Sequence, residues 1–354
     1  MLKRLYVHNY KCLVNFEINF DKDISLFLGA NGSGKSTVFE VLRKVIGWVL
    51  DQKKISTVFK NSDKTRWLQR EPENSRFEMD IQIKGGIYKY ALTMNLGTYP
   101  SEETKLVEEI LYYKNEELFD AKENLSFDNS RSCLFRAIFF GDVEISVMPF
   151  WECLQNIFVV RINPYNMGAM IENATPNIES DFSNFADWFT HLNEKYRKQV
   201  SILEKNLLDI LPGFDYFRID PVGRGKVLVV DFKNIPNGYD FNELSEGQKT
   251  LIALYALVYS APENSIVCID EPENFLALPE IQPWFDTLYD QCAERGLQAL
   301  LISHHPRIIN YLAGDSGYWF YRENNLTRVK GITTENEGGL SIAELVERGW
   351  IDDL

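Results

Sequence analysis

The stretch that decides the fold runs from Gly29 to Ser36 and reads Gly-Ala-Asn-Gly-Ser-Gly-Lys-Ser. It fits the pattern GxxxxGK followed by Ser or Thr. An apolar run suited to a buried strand, residues 24–28, precedes it, and a predicted helix from about Lys35 to Leu50 follows. Glycines in such a loop let backbone N–H groups turn toward phosphate oxygens, and the helix N-terminus adds partial positive charge. The stretch therefore predicts a phosphate-binding loop in an α/β fold.

The residue types of this loop suit a nucleoside triphosphate with Mg²⁺. We expect Lys35 to reach the β- and γ-phosphates and Ser36 to supply an oxygen to Mg²⁺. The alternative is a glycine-rich turn that only caps a helix, but the strand before the loop and the helix after it favour phosphate binding. The predicted loop consists of Gly29, Ala30, Asn31, Gly32, Ser33, Gly34, Lys35 and Ser36.

A second stretch with candidate catalytic residues is an apolar strand that ends in two acids, Ser-Ile-Val-Cys-Ile-Asp-Glu over residues 265–271. Adjacent side chains of an extended segment diverge, so the two acids can take separate roles. Asp270 can orient the Mg²⁺ shell, while Glu271 can polarise a water molecule as a general base, which is worth about 10²–10⁴ in rate. Taken alone, this pattern favours a strand that simply leaves the core into a turn.

Two further stretches gain meaning from their order along the chain. Leu-Ser-Glu-Gly-Gln, residues 244–248, opens a predicted helix that continues to Tyr259, with Ser245 as its N-cap. Leu-Ile-Ser-His-His-Pro, residues 301–306, is a strand that runs into two histidines. No second cluster has metal-ligand spacing, so a zinc site is not predicted.

The four stretches in this order resemble an ABC-class ATPase, with Glu246 standing where the commoner signature LSGGQ has glycine. The start of the chain (residues 5–13), the run Asp-Glu-Pro-Glu-Asn-Phe-Leu (270–276) and Ser-His-His-Pro (303–306) are similar to the RecF/SMC/OLD-like branch. The chain resembles the compact AAA-family ATP-binding proteins of prokaryotes, which are related to the ATPase half of OLD nucleases. Many of these are encoded beside nuclease-like partners in phage-defence or toxin–antitoxin loci.

This resemblance implies a site shared between two subunits that sandwich two ATP molecules head to tail. Residues 29–37, which include Thr37, would hold the nucleotide, and His304 would be the switch histidine that senses the γ-phosphate. Lys11 matches a basic position near the phosphates. A Q-loop glutamine is not obvious: Gln69 is a candidate, and Gln82 lies inside a predicted strand. The signature residues expected at the γ-phosphate of the opposite subunit are Ser245, Gly247 and Gln248.

The function implied is that of a Mg²⁺-dependent ATPase, a homodimer or larger oligomer that acts as a nucleotide-dependent switch. Its partner would be a separately encoded effector, a nuclease or a toxin, in phage defence or a DNA-linked process. One alternative is a repair or recombination ATPase that binds DNA directly. A transporter subunit is a further alternative, but it predicts a helical insertion, whereas residues 77–119 read as β-rich.

The expected architecture is a single ABC-type ATPase head over residues 1–354, an α/β P-loop NTPase fold with an antiparallel β subdomain and a helical insertion. Alternating apolar residues on both sides of Gly85-Gly86 predict a β-hairpin over 77–94. Apolar residues spaced by three or four over 185–211 predict one long helix or a bent pair. The expected segments are N-terminal strands with the P-loop helix (1–50), a β-rich insertion (51–180), a helical segment (181–214), and a lobe with signature, acidic strand and histidine (215–354).

Composition limits the class of protein. Asp+Glu number 51 against 37 Lys+Arg, a formal net charge of −14, which argues against non-specific coating of nucleic acid but leaves room for a local basic groove. No apolar run reaches the roughly 18 residues that a membrane span needs. Five scattered cysteines without a CxxC pair indicate neither a disulfide framework nor zinc. We therefore expect a cytoplasmic protein without a membrane partner.

Overall fold

The computed structural model divides the chain into two compact units. The first unit comprises Met1–Ile157 and His304–Leu354, and the second comprises Phe158–Ser303. The expected segments 51–180 and 215–354 each contribute to both units, since the chain passes from one unit to the other at 157/158 and 303/304. The described residues are 1–68, 74–97, 104–121, 129–140, 145–332 and 341–347.

The elements of the first unit come from both ends of the chain. Its strands are β1 (Leu2–His8), β2 (Phe16–Asn19), β3 (Ile24–Gly29), β4 (Ser75–Ile83), β5 (Gly86–Asn95), β6 (Lys105–Tyr113), β7 (Glu116–Asp120), β15 (Gly317–Glu323) and β16 (Leu326–Gly331). Its helices are α1 (Lys35–Asp51), α2 (Ile55–Val58), α3 (Cys133–Phe140), α4 (Met148–Gln155), α9 (Pro306–Ser316) and α10 (Ile342–Glu347).

The elements of the second unit follow one another without interruption. Its strands are β8 (Ile157–Val160), which begins at the unit boundary, β9 (Met170–Ile171), β10 (Phe214–Val222), β11 (Gly225–Phe232), β12 (Tyr239–Asp240), β13 (Ile266–Asp270) and β14 (Gln298–Ile302). Its helices are α5 (Phe185–Lys195), α6 (Arg197–Ile210), α7 (Glu246–Ser260) and α8 (Leu278–Arg295).

An antiparallel sheet in the order β2-β1-β4-β5-β6-β7 forms one layer of the first unit. The predicted hairpin is confirmed: β4 and β5 pair through a turn at Lys84 and Gly85, both at positive φ. Alternate residues of β4 and β5 lie opposite one another and are buried, as in the pair Met79 and Tyr90. Gln82, weighed as a Q-loop residue, lies within β4, and Gln69 lies outside the described residues.

The phosphate loop belongs to a second layer of the first unit. All six residues of β3 are buried, and β15 runs parallel to it with Leu26 opposite Gly317 and Gly29 opposite Phe320. β16 pairs with β15 in the antiparallel sense. The predicted helix after the loop is confirmed as α1, whose buried face repeats every three or four residues.

The second unit combines a short parallel pair with an antiparallel sheet. β13 and β14 pair in parallel over their whole length, and β8 lies on the other side of β13. β11 pairs with β10, β12 and β9, all antiparallel. The helical segment is a bent pair, because the backbone of Tyr196 leaves the helical region between α5 and α6. The α/β architecture predicted from the sequence is confirmed, and none of the described helices is long and apolar enough to cross a membrane.

Candidate nucleotide-binding and hydrolysis site

The turn from β3 into α1 requires glycine at two positions. Gly29 has a φ of 140°, and a Cβ atom there would lie 2.1 Å from the carbonyl oxygen of Phe320. Gly34, the N-cap of α1, has a φ of 109°, and a Cβ atom there would lie 2.5 Å from Thr327 Oγ1. Other residues avoid this backbone region, and their Cβ atoms would also clash at both positions. The motif therefore needs glycine at Gly29 and Gly34.

The interior of the loop presents groups that suit phosphate oxygens. Lys35 is 5% exposed, and its Nζ donates to the carbonyl oxygens of Gly29 (2.6 Å) and Ala30 (3.1 Å). No side-chain cap and no acidic residue occupy the first turn of α1. The buried Ser33 hydroxyl has no hydrogen-bond partner among the described residues. A buried cation, an uncapped helix N-terminus and an unsatisfied hydroxyl in one turn fit a bound triphosphate.

The outer side of the loop is held by residues that no sequence motif marks. Arg322 on β15 donates from Nε (2.9 Å) and Nη2 (2.7 Å) to the carbonyl oxygen of Gly32. Thr327 Oγ1 on β16 donates to the carbonyl oxygen of Ser33 at 2.8 Å. A trans peptide places its C=O and the following N–H on opposite sides. The Thr327 contact therefore turns the N–H of Gly34 away from the β15–β16 hairpin.

Lys11, expected near the phosphates, is engaged with a carboxylate of α1. Its Nζ lies 2.7 and 2.6 Å from the two oxygens of Glu40, which also pairs with Lys44 at 3.1 Å. Burial by itself would raise the pKa of Glu40, but the hydrogen bonds from Lys11 and Lys44 outweigh it, and the pKa lies below its ordinary value. A phosphate contact by Lys11 stays a prediction and would require the ammonium group to leave Glu40.

The two acids at the end of β13 differ in environment. Asp270 is buried, whereas the side chain of Glu271 is 26% exposed. The Glu271 N–H donates to the carbonyl oxygen of Ile302 at 2.8 Å, and its φ of 55° lies in the left-handed region. Such a conformation costs energy in a residue other than glycine, and it is typical of functional sites.

The carboxylate of Glu271 is held by two donors on one oxygen. Oε2 accepts from Arg161 Nη2 at 2.5 Å and from Asn274 Nδ2 at 3.0 Å. Arg161 follows directly after β8 and is 63% exposed. The sequence predicted Glu271 but not Arg161, because a single arginine after a strand carries no recognisable signal.

The signature stretch is a capped helix start, as predicted. Ser245 is the N-cap of α7, and its Oγ accepts from the Gln248 N–H at 3.3 Å, while Gln248 Oε1 accepts from the Ser245 N–H at 3.0 Å. This reciprocal capping box satisfies two donors of the first turn. A Cβ atom at Gly247 would lie 2.9 Å from the carbonyl oxygen of Phe275, so the helix start lies against the loop that follows Glu271.

The two histidines after β14 differ in their surroundings. His304 is exposed, and its role as a sensor of the γ-phosphate stays a prediction. His305 is the N-cap of α9, and its Nδ1 accepts from the Arg307 N–H at 3.2 Å, which gives it a structural role. In the second unit, the Ser303 hydroxyl donates to Glu273 Oε1 at 2.7 Å and so connects the end of β14 to the acidic loop.

The expected site residues are distributed over both units. Those in the first unit are Lys11, Gly29, Ala30, Asn31, Gly32, Ser33, Gly34, Lys35, Ser36, Thr37 and His304. Those in the second unit are Ser245, Gly247, Gln248, Asp270 and Glu271. The hydroxyl of Ser36 and the carboxylate of Asp270 are oxygen donors of the kind that Mg²⁺ prefers. Among the residues with described positions, no group of three or more His, Cys, Asp or Glu side chains could hold a metal ion, and Mg²⁺ commonly needs only one or two protein ligands beside phosphates.

Comparison with known proteins shows the family and the fold of the chain. A family model described as "AAA domain, putative AbiEii toxin, Type IV TA system" matches residues 24–310. A segment of 89 residues is 29% identical to the DNA double-strand break repair Rad50 ATPase of Methanocaldococcus jannaschii and spans 25% of this chain but only 8% of that protein. An SMC head bound to the C-winged helix domain of ScpA superposes with a TM-score of 0.55 and 14% identity, covering 94% of this chain and 98% of that chain. The last likeness shows a shared fold.

Proposed function

Because the chain belongs to this AbiEii-type AAA family and carries a GxxxxGKS loop between a buried strand and a helix, we propose that it hydrolyses ATP to switch a partner protein. The similarity to the Rad50 ATPase over 89 residues and the fold shared with an SMC head support this proposal. The observation that carries hydrolysis is Glu271, a carboxylate directly after a buried acid, with its backbone held at a φ of 55° and its side chain oriented by two donors. A general base needs this kind of fixed orientation. The phosphate loop of the first unit supplies the binding groups.

Each side chain has a separate role in this proposal. Lys35 binds the β- and γ-phosphates, and Glu271 orients the attacking water and accepts its proton. Ser36 and Asp270 would hold Mg²⁺, which when bound neutralises phosphate charge. His304, exposed after β14, would contact the γ-phosphate.

The proposal includes a two-fold dimer in which the signature acts in trans. Ser245 is exposed, and its side chain caps α7 rather than being buried in the unit, so the helix start is available to a second subunit. A two-fold interface would repeat the contact between one phosphate loop and the opposite signature. ATP would then favour association, because it would bind the dimer better than the monomer.

The partner that we propose is a separately encoded toxin or nuclease in phage defence. The toxin–antitoxin description of the family supports this class of partner. Closure of the proposed dimer around ATP would change the surface that the partner meets. We assign that surface to the helices α5 and α6 and to the antiparallel sheet β2-β1-β4-β5-β6-β7. We place this activity in the cytoplasm, and larger oligomers built from the dimer are compatible with it.

A direct role on DNA is a second candidate, and the similarity to a DNA double-strand break repair ATPase favours it. The chain is acidic overall, but Lys195, Arg197 and Lys198 are exposed together at the α5–α6 junction. DNA binding through them would weaken steeply with salt. Binding of a short duplex by the wild type, lost when all three are changed to Ala, would support this candidate over the effector switch.

The test of hydrolysis separates binding from chemistry. Lys35→Ala should lower both ATP affinity and turnover, because it removes the buried cation of the loop. Glu271→Gln keeps the shape and removes the base, so ATP should bind with near wild-type affinity while kcat falls by about 10²-fold or more. ATP affinity is measured by calorimetry and turnover by phosphate release. Equal losses of ATP affinity in both variants would contradict the assigned roles.

A further inference from the structure

We propose that Arg161 is a positioning residue for the general base: it fixes the Glu271 carboxylate and ties it to the segment that leads into α5. The inference rests on the proposed role of Glu271 in hydrolysis. It concerns a residue that no motif of the sequence marks, and its contacts with Glu271 and Ser180, on which the inference rests, lie within the second unit.

The first observation is the contact itself. Arg161 Nη2 lies 2.5 Å from Glu271 Oε2, and Asn274 Nδ2 donates to the same oxygen at 3.0 Å. Both contacts fall on Oε2. A carboxylate held in this way keeps its second oxygen, Oε1, for a water molecule. A base oriented by a third group is a recurring arrangement in activated catalytic sites.

The second observation is that two backbone hydrogen bonds hold the segment that carries Arg161. The Arg161 N–H donates to the carbonyl oxygen of Ser180 at 2.7 Å, and the Asn163 N–H donates to that of Asp181 at 3.0 Å. These partners lie four to five residues before α5. The segment that precedes the helical pair is therefore connected through one arginine to the catalytic carboxylate.

The same segment also reaches the loop that follows Glu271. The ring of Tyr165 packs edge-on against the ring of Phe275, with centroids 5.6 Å apart. The carbonyl of Phe275 in turn lies where a Cβ atom of Gly247 would meet it at 2.9 Å. Residues 161–165 thus contact the loop that carries the base at two points, Glu271 and Phe275, and that loop touches the start of the signature helix.

The ion pair is poorly suited to a purely structural role. Arg161 is 63% exposed, and ion pairs in such surroundings contribute little to folding because water screens them. Its replacement should therefore leave the fold intact. A misplaced catalytic group, in contrast, can cost as much as about 10²-fold in rate for a shift of about 1 Å.

The experiment compares Arg161→Ala, Arg161→Lys and the control Arg224→Ala, which removes an exposed arginine of the β10–β11 turn in the same unit. We expect Arg161→Ala to lower kcat by about 10- to 100-fold while ATP affinity stays within about twofold of wild type. Arg161→Lys should recover part of the rate, because an ammonium group still donates to Oε2. The control should match wild type.

Three results would overturn the inference. They are an unchanged kcat in Arg161→Ala, an increased kcat, which would show that Arg161 restrains the base, and a loss of ATP affinity that accounts for the fall in rate. The wild type and Glu271→Gln are measured alongside. Absence of hydrolysis by the wild type would count against the proposed function itself, whereas wild-type turnover with an unaffected Arg161→Ala would remove only the role of Arg161.

Discussion

Thr327 should control nucleotide affinity from outside the phosphate loop. Its side chain is buried, and its hydroxyl donates to the carbonyl oxygen of Ser33 at 2.8 Å. Thr327→Val keeps the shape and removes the donor, which leaves a buried acceptor unsatisfied at a cost of about 1–3 kcal/mol. If the full cost falls on the binding-competent loop, the apparent Kd for ATP rises by about 5- to 150-fold.

Thr327→Ser is the matched control for this substitution. It removes one methyl group, worth about 0.8 kcal/mol of stability, but retains the hydroxyl. We expect Thr327→Ser to lower the free energy of unfolding slightly and to bind ATP like the wild type. Calorimetric titration with ATP and with ADP measures the affinities, and denaturant unfolding without nucleotide measures the stabilities.

Two outcomes would contradict the role assigned to the Thr327 hydroxyl. Wild-type ATP affinity in Thr327→Val would show that the Ser33 carbonyl does not need this donor to hold the loop. Equal losses of ATP affinity in Thr327→Val and Thr327→Ser would show that packing, and not the hydrogen bond, is responsible.

Two further predictions address the dimer and the charge cluster. Ser245→Arg should retain ATP binding at Lys35 but lose ATP-dependent dimerisation, as measured by sedimentation. Mixing Ser245→Arg with Lys35→Ala should restore up to about half of one dimer's ATPase activity if the two sites act singly. Full ATPase activity of Ser245→Arg alone would refute a trans role of Ser245. In the folded protein, the pKa of Glu40 lies below its value in the unfolded chain, which is near 4.5. Its ion pairs with Lys11 and Lys44 therefore stabilise the fold fully above pH 4.5. This stabilisation is lost as the pH falls through the lower pKa of the folded state. The stability difference between wild type and Glu40→Gln should therefore be constant from pH 7 to about 5 and shrink below 4.5, as measured by urea unfolding; a difference independent of pH would contradict it.

The sequence predicted those features that depend on neighbours along the chain. The strand–loop–helix around Gly29 and Gly34, the cap at Ser245 and the β4–β5 hairpin each need particular residues within a few positions of one another. Such features depend on short-range steric and hydrogen-bond requirements, so a local sequence pattern is enough to predict them. The sequence does not fix the bend at Tyr196, because both halves of the segment carry the same helical period.

Only the tertiary structure could show which side chains hold the site residues. Arg161 meets Glu271 across 110 positions, and Arg322 and Thr327 reach the phosphate loop across 290 and 294 positions. Lys11 faces Glu40, a pairing that its position in a motif does not reveal. The contacts of Arg161, Arg322 and Thr327 depend on the pairing of strands that are distant along the chain, β8 with β13 in the second unit and β15 with β3 in the first. An arginine or threonine beside such a strand has no sequence signature until its partner is known. Local chemistry along the chain thus determined the motifs, while strand arrangement determined what positions them.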